Sequence, residues 1–125
     1  MSKKLKLSEA EQEIMMIIWE EERPLTSNFI LDQITSRTLA LSTVMTVLAR
    51  LCEKGFVHCD RTTRTNYYSA LVPREAYLEE ASHEFLQRMH KSSIASMITA
   101  LNRKGAISEQ DITELRRMLD HLDHH

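Results

Sequence analysis

Two glycines and two prolines are the only strong breakers in this 125-residue chain. Glycine serves turns that need positive φ, and proline interrupts helices and strands alike. Such scarcity argues against a turn-rich all-β fold and for long uninterrupted helices. Two cysteines exclude a disulfide scaffold. The longest apolar run, Ile14-Met15-Met16-Ile17-Ile18-Trp19, falls far short of the ~20 residues a membrane span needs. The opening, Met1 to Lys6, lacks the apolar stretch of a secretory signal, so a cytoplasmic location and no membrane partner are expected. What remains, 42% apolar and 27% charged, is the composition of a globular chain. Its length allows one ordinary domain or two small ones.

A net charge of −2 conceals segregation. The stretch 9–22 carries six glutamates and no base. The stretch 37–68 is basic, with Arg37, Arg50, Lys54, Arg61 and Arg64 against Glu53 and Asp60. The stretch 73–125 is mildly acidic, seven bases against nine acids. A basic segment within an acidic chain fits either a phosphate-facing surface or an ordinary solvated face.

Ser8-Glu9-Ala10-Glu11 reads as a capping box, and Ile14, Ile17 and Ile18 follow at helical spacing. A helix over about 9–21 is expected, ended by Pro24. Thr26 and Ser27 can cap a second, short helix with Ile30, Leu31 and Ile34 on one side. A third fits 42–54, where Val44, Val47, Leu48 and Leu51 form a stripe and Gly55 supplies a left-handed cap. The period then shortens to two. Segments 56–60 and 66–71, rich in β-formers, flank the polar Arg61-Thr62-Thr63-Arg64-Thr65 and predict a hairpin with a basic tip. Pro73 opens a long helix to about His90, striped by Tyr77, Leu78, Ala81, Phe85 and Met89. Two more follow, 94–103 and one capped by Ser108 with Asp111 at its third position. Three helices and a hairpin, in that order, predict a winged helix-turn-helix. The expected fold is mainly α, with a winged-helix domain over 1–72 and a helical dimerisation domain over 73–125.

On the third helix, Ser42, Thr43, Met45, Thr46, Ala49 and Arg50 lie opposite the apolar stripe. Small hydroxyl side chains allow close approach to base edges and phosphates, Met and the Thr methyls suit a thymine methyl, and Arg takes a guanine edge or a phosphate. Arg61 and Arg64 stand directly downstream. Stripes on 77–89, 94–101 and 112–122 exceed what three short helices bury alone, and a second copy would cover them. The other possibility is that they pack back on the first half. There is no phosphate loop, no HExxH and no G-x-S-x-G, so no enzyme and no cofactor are expected. Cys52 and Cys59 lack metal-site spacing. His83 and His90 read as surface positions, and His121, His124 and His125 as a frayed end. A metal-responsive, copper-type repressor of the same fold using Cys52, Cys59 or the terminal histidines, and a winged helix that binds a protein partner without DNA, stand as alternatives.

Leu7-Ser8-Glu9-Ala10-Glu11, Ile14-Met15 and Ile18-Trp19 resemble the opening of the BlaI/MecI penicillinase-repressor family. So do Ser42-Thr43-Val44, the run Leu48 to Val57, Tyr67-Tyr68-Ser69, and Ser108 to Ile112 followed by Glu114-Leu115. The resemblance implies a homodimeric repressor with an N-terminal winged helix, bound to inverted repeats of double-stranded operator DNA that commonly carry TACA and TGTA half-sites, often at β-lactamase and sensor genes. It places groove contacts on Ser42, Thr43, Met45 and Thr46, a backbone contact on Arg50, and wing contacts on Arg61 and Arg64. Some relatives carry Lys or Arg where Ser42 and Met45 stand, so this reading surface is less charged. In the antibiotic-response branch, one bond of the dimerisation domain is cut, which implies a sensor protease as partner; the matching position is Ala100-Leu101. The paired-Cys ending of the copper-responsive branch is absent.

Overall fold

The computed structural model describes residues 6–122. His124 and His125, and the opening residues up to Leu5, lie outside the described residues. The elements run α1 (Glu9–Glu21), α2 (Ser27–Gln33), α3 (Leu41–Glu53), β1 (Val57–Asp60), β2 (Tyr67–Ala70), α4 (Arg74–His90), α5 (Ile94–Arg103) and α6 (Glu109–Asp120). This is the predicted mainly helical order with a small β wing. Contacts divide the chain into two compact units, one ending at Ala81 and one beginning at Ser82.

In the first unit, local chemistry sets the helix ends. Ser8 accepts from the Glu11 amide, and the Glu11 carboxylate accepts from the Ser8 amide at 2.8 Å, completing the capping box. Thr26 caps α2 through the Phe29 amide. Gly55, at φ 82°, turns the chain out of α3 into the hairpin. β1 and β2 pair antiparallel, with Val57 opposite Ala70 and Cys59 opposite Tyr68. Leu25 exchanges two backbone hydrogen bonds with Tyr68, at 2.8 and 2.7 Å, adding a one-residue bridge to the hairpin.

The core gathers one face of each element. Ile14, Met15 and Ile18 of α1 meet Ile30 of α2, Val44, Leu48 and Leu51 of α3, Phe56, and Tyr68 of the wing. Each such side chain contributes about 1.5–3 kcal/mol of burial. Tyr77 joins them: it stands 5.6 Å from the Trp19 ring and edge-on to Phe56 at 6.1 Å, and its hydroxyl accepts from Gln12 at 2.9 Å. The first two turns of α4 therefore pack in the first unit, past the boundary expected at 72/73.

In the second unit, α4 ends in a turn where Lys91 and Ser92 both have positive φ without glycine. Ser93 caps α5, and Ser108 forms a second capping box with Asp111 at the start of α6. No residue of α5 or α6 is buried. Ile94, Ile98 and Leu101, and on α6 Ile112, Leu115 and Leu119, present their apolar side chains to solvent.

Candidate nucleic-acid interface

α3 is amphipathic in the sense the sequence predicts. Val44, Val47, Leu48 and Leu51 are buried, whereas Ser42, Thr43, Met45, Thr46, Ala49 and Arg50 are exposed. Met45 keeps 45% of its surface in water, a large apolar group that the fold itself leaves uncovered. Thr46 Oγ1 donates to the Ser42 carbonyl at 2.9 Å. Its proton is thus engaged within the helix, leaving its methyl and a lone pair to face outward. The N-cap of α3 is Ala40, which offers no side-chain hydrogen bond, so part of its first turn of amides lacks a side-chain partner.

The wing tip is shaped by its own polar groups. Asp60 Oδ1 accepts from the Thr62 hydroxyl at 2.7 Å and the Thr62 amide at 2.9 Å. These two bonds hold the Asp60 carboxyl below the ordinary carboxylate range. Thr63 Oγ1 donates to the Thr65 carbonyl at 2.8 Å. Arg61 and Arg64 project from this tied loop, both exposed. Asp60 and Thr62, two residues apart, are the sequence signal of this Asx turn, which takes the place of an Asn-Gly pair at the hairpin tip.

The fold sorts the five bases of 37–68 into two groups. Arg37 Nη2 pairs with Glu13 Oε1 at 3.0 Å, and Ser36 Oγ donates to the same carboxylate at 2.7 Å. Lys54 Nζ pairs with Glu11 Oε1 at 2.6 Å and donates to the Lys6 carbonyl. Arg50, Arg61 and Arg64 have no carboxylate partner among the described residues. α3 and the wing thus carry three cations that no carboxylate of the described residues pairs with.

The remaining candidates fall elsewhere. Ala100 and Leu101 are exposed within α5, and their carbonyls accept from the Lys104 and Ala106 amides. Cys52 and Cys59 are half-buried free thiols. Burial pushes the Cys52 thiol up, and the neighbouring Cys59 adds to this against Arg61, so its metal-ligating thiolate is disfavoured. His83 is exposed on α4; His90 Nδ1 lies 3.0 Å from Ser96 Oγ, and His121 Nδ1 lies 2.8 Å from the Arg117 carbonyl. Among the described residues, no group of three His, Cys, Asp or Glu side chains could hold a metal ion.

Comparison with known proteins agrees in extent. Residues 7–121 match the family profile described as penicillinase repressor. The penicillinase repressor of Bacillus licheniformis is 29% identical over 96% of this chain and 94% of its own length. The methicillin resistance regulatory protein MecI of Mammaliicoccus sciuri is 28% identical over 95% of this chain and 97% of its own. The transcriptional regulator BlaI of Mycobacterium tuberculosis is 29% identical over 98% of this chain and 89% of its own.

Proposed function

The chain belongs to the penicillinase repressor family of transcriptional repressors, and from that premise we propose that it acts as a homodimer on an inverted-repeat operator. The observation that carries the reading is charge placement: of the five bases in 37–68, those without a carboxylate partner among the described residues are Arg50 on α3 and Arg61 and Arg64 on the wing. In this reading α3 enters the major groove. Ser42, Thr43, Met45 and Thr46 meet base edges, and Arg50 meets the backbone. The uncapped first turn of α3 offers amides and the positive end of its dipole to a phosphate. Arg61 and Arg64 follow the backbone beside the wing. Occupancy blocks transcription by excluding polymerase, and the controlled genes are of the β-lactamase or related resistance and stress class.

The dimer is supported by α5 and α6, whose apolar side chains have no cover within their own unit. A twofold pair would bury them and set two α3 helices on one face of the duplex. Release by a sensor protease at Ala100-Leu101 completes the scheme; the bond lies in a hydrogen-bonded helix, so cutting requires α5 to unwind locally.

Fluorescence anisotropy with a duplex from the chain's own promoter tests this directly. Affinity is expected to fall steeply as salt rises, because phosphate contacts release counterions. A flat salt response, or no preference over scrambled duplex at low salt, overturns the reading and favours a protein partner for the winged helix.

A further inference from the structure

Met45 is 45% exposed on α3 and belongs neither to the buried core nor to the apolar side chains packed against it. Residues three and four positions apart are neighbours on a helix surface, so Ser42 and Ala49 flank it along the axis and Thr46 stands beside it. All three are small and exposed. The unbranched Met45 side chain is longer than theirs and stands out from them. Nothing within the first unit's core covers it.

The surroundings name the occupant. Arg50 further along α3, and Arg61 and Arg64 on the wing, have no carboxylate partner among the described residues. An apolar group set between such cations matches a partner that is anionic at its edges and carries apolar groups inside. Duplex DNA is such a partner, with phosphates on the rims of a groove whose floor holds methyl groups. Met45 has no donor and only a weak sulfur acceptor. Thr46 gives its hydroxyl proton to the Ser42 carbonyl at 2.9 Å. Neither side chain is therefore set to donate to guanine O6 or to a purine N7. In the major groove a base pair offers a single apolar group, the thymine C5 methyl. A flexible thioether chain adapts its shape to such a contact.

We propose that Met45 is a specificity-determining residue that packs on the C5 methyl of one thymine in each operator half-site. That base pair is then selected by apolar contact and not by a hydrogen bond, and a cytosine at the same place leaves the thioether facing water. The inference rests on the reading of α3 as the groove-entering helix and adds the chemical group that it recognises.

Rounds of selection from random-sequence duplex by the full chain supply the operator. Each thymine is then replaced by deoxyuridine, which removes only the C5 methyl, at symmetric positions in both half-sites. At one of these positions the parent is expected to weaken about fourfold per half-site, the worth of one buried carbon. Met45→Ala alters a side chain outside the core. It is expected to weaken the thymine duplex and to bind the thymine and deoxyuridine duplexes of that position equally. The salt slope is expected to be the same for all four combinations, because no phosphate contact changes. An operator in which no thymine methyl matters overturns the proposal, and so do methyl effects that all persist in Met45→Ala. A salt slope that falls in Met45→Ala overturns it too, since the substitution would then have moved α3 on the backbone. In each of these cases operator binding itself stands. Absence of any selected sequence removes the repressor reading along with this one.

Discussion

Glu11 is 2% exposed yet carries a charge, and two groups donate to its carboxylate: the Lys54 ammonium and the Ser8 amide, with the Ser8 side chain beside them. Burial raises its pKa, but the Lys54 and Ser8 interactions outweigh this and leave it below its ordinary value of 4.5. The folded state therefore favours the charged form more than the unfolded chain does. That contribution is complete above the ordinary value and is lost as pH falls through the lower folded one. Glu11→Gln is expected to cost about 1 kcal/mol at neutral pH, with the urea midpoints of variant and parent converging as pH falls below the ordinary carboxylate value; a gap independent of pH rules out this pair as its source. Lys54→Met leaves the carboxylate buried with its Ser8 hydrogen bonds but no opposite charge, and is expected to cost about 2 kcal/mol, below the range for fully buried pairs because the ammonium reaches solvent. Arg50→Ala leaves the core untouched. If Arg50 meets a phosphate, the variant weakens all duplexes about equally and lowers the salt slope by about one. An altered preference at one base pair reassigns Arg50 to base reading.

At the scale of elements, the junction from α3 to the hairpin is the critical turn. Gly55 stands at φ 82°, and a Cβ added there meets nothing within 4 Å. Gly55→Ala is therefore limited by backbone strain alone, about 1 kcal/mol, a fall of several degrees in Tm. A much larger fall would show that α3 and β1 have shifted against each other. The helices were legible in the sequence because their signals are local. The caps Ser8, Thr26, Ser93 and Ser108 and the apolar period lie within a few residues of what they control. Leu25 was not legible: its bridge to Tyr68 joins residues far apart in sequence, and a lone apolar residue after Pro24 has no period to betray it. Nor was the turn at Lys91 and Ser92, which adopts positive φ with neither Gly nor Asn to announce it.

For the whole molecule, the proposed dimer is the hinge of function. Leu115 and Leu119 are 37% and 59% exposed on α6, far from the first unit's core in sequence. Leu115→Glu with Leu119→Glu is expected to give a single subunit in sedimentation at micromolar concentration. Near-UV circular dichroism of the Trp19 region should stay unchanged. Operator affinity is expected to fall roughly a hundredfold or more, because the second half-site loses its tethered partner. A separated subunit that binds the operator as tightly as the parent removes the dimer from the mechanism.

The linear order of residues was enough to determine the helices, the hairpin, the buried stripe of α3 and the family. Each follows from spacing, capping or motif, which act over a few residues. Only the tertiary structure decided which charges remain available. Glu13 reaches across 24 positions to Arg37, and Glu11 across 43 to Lys54, so two bases of an apparently uniform basic stretch are neutralised from α1. The same long-range packing drew Tyr77 from an expected dimer stripe into the first core, beside Trp19 and Phe56. Such pairings depend on where distant elements meet, and periodicity along a chain carries no record of that.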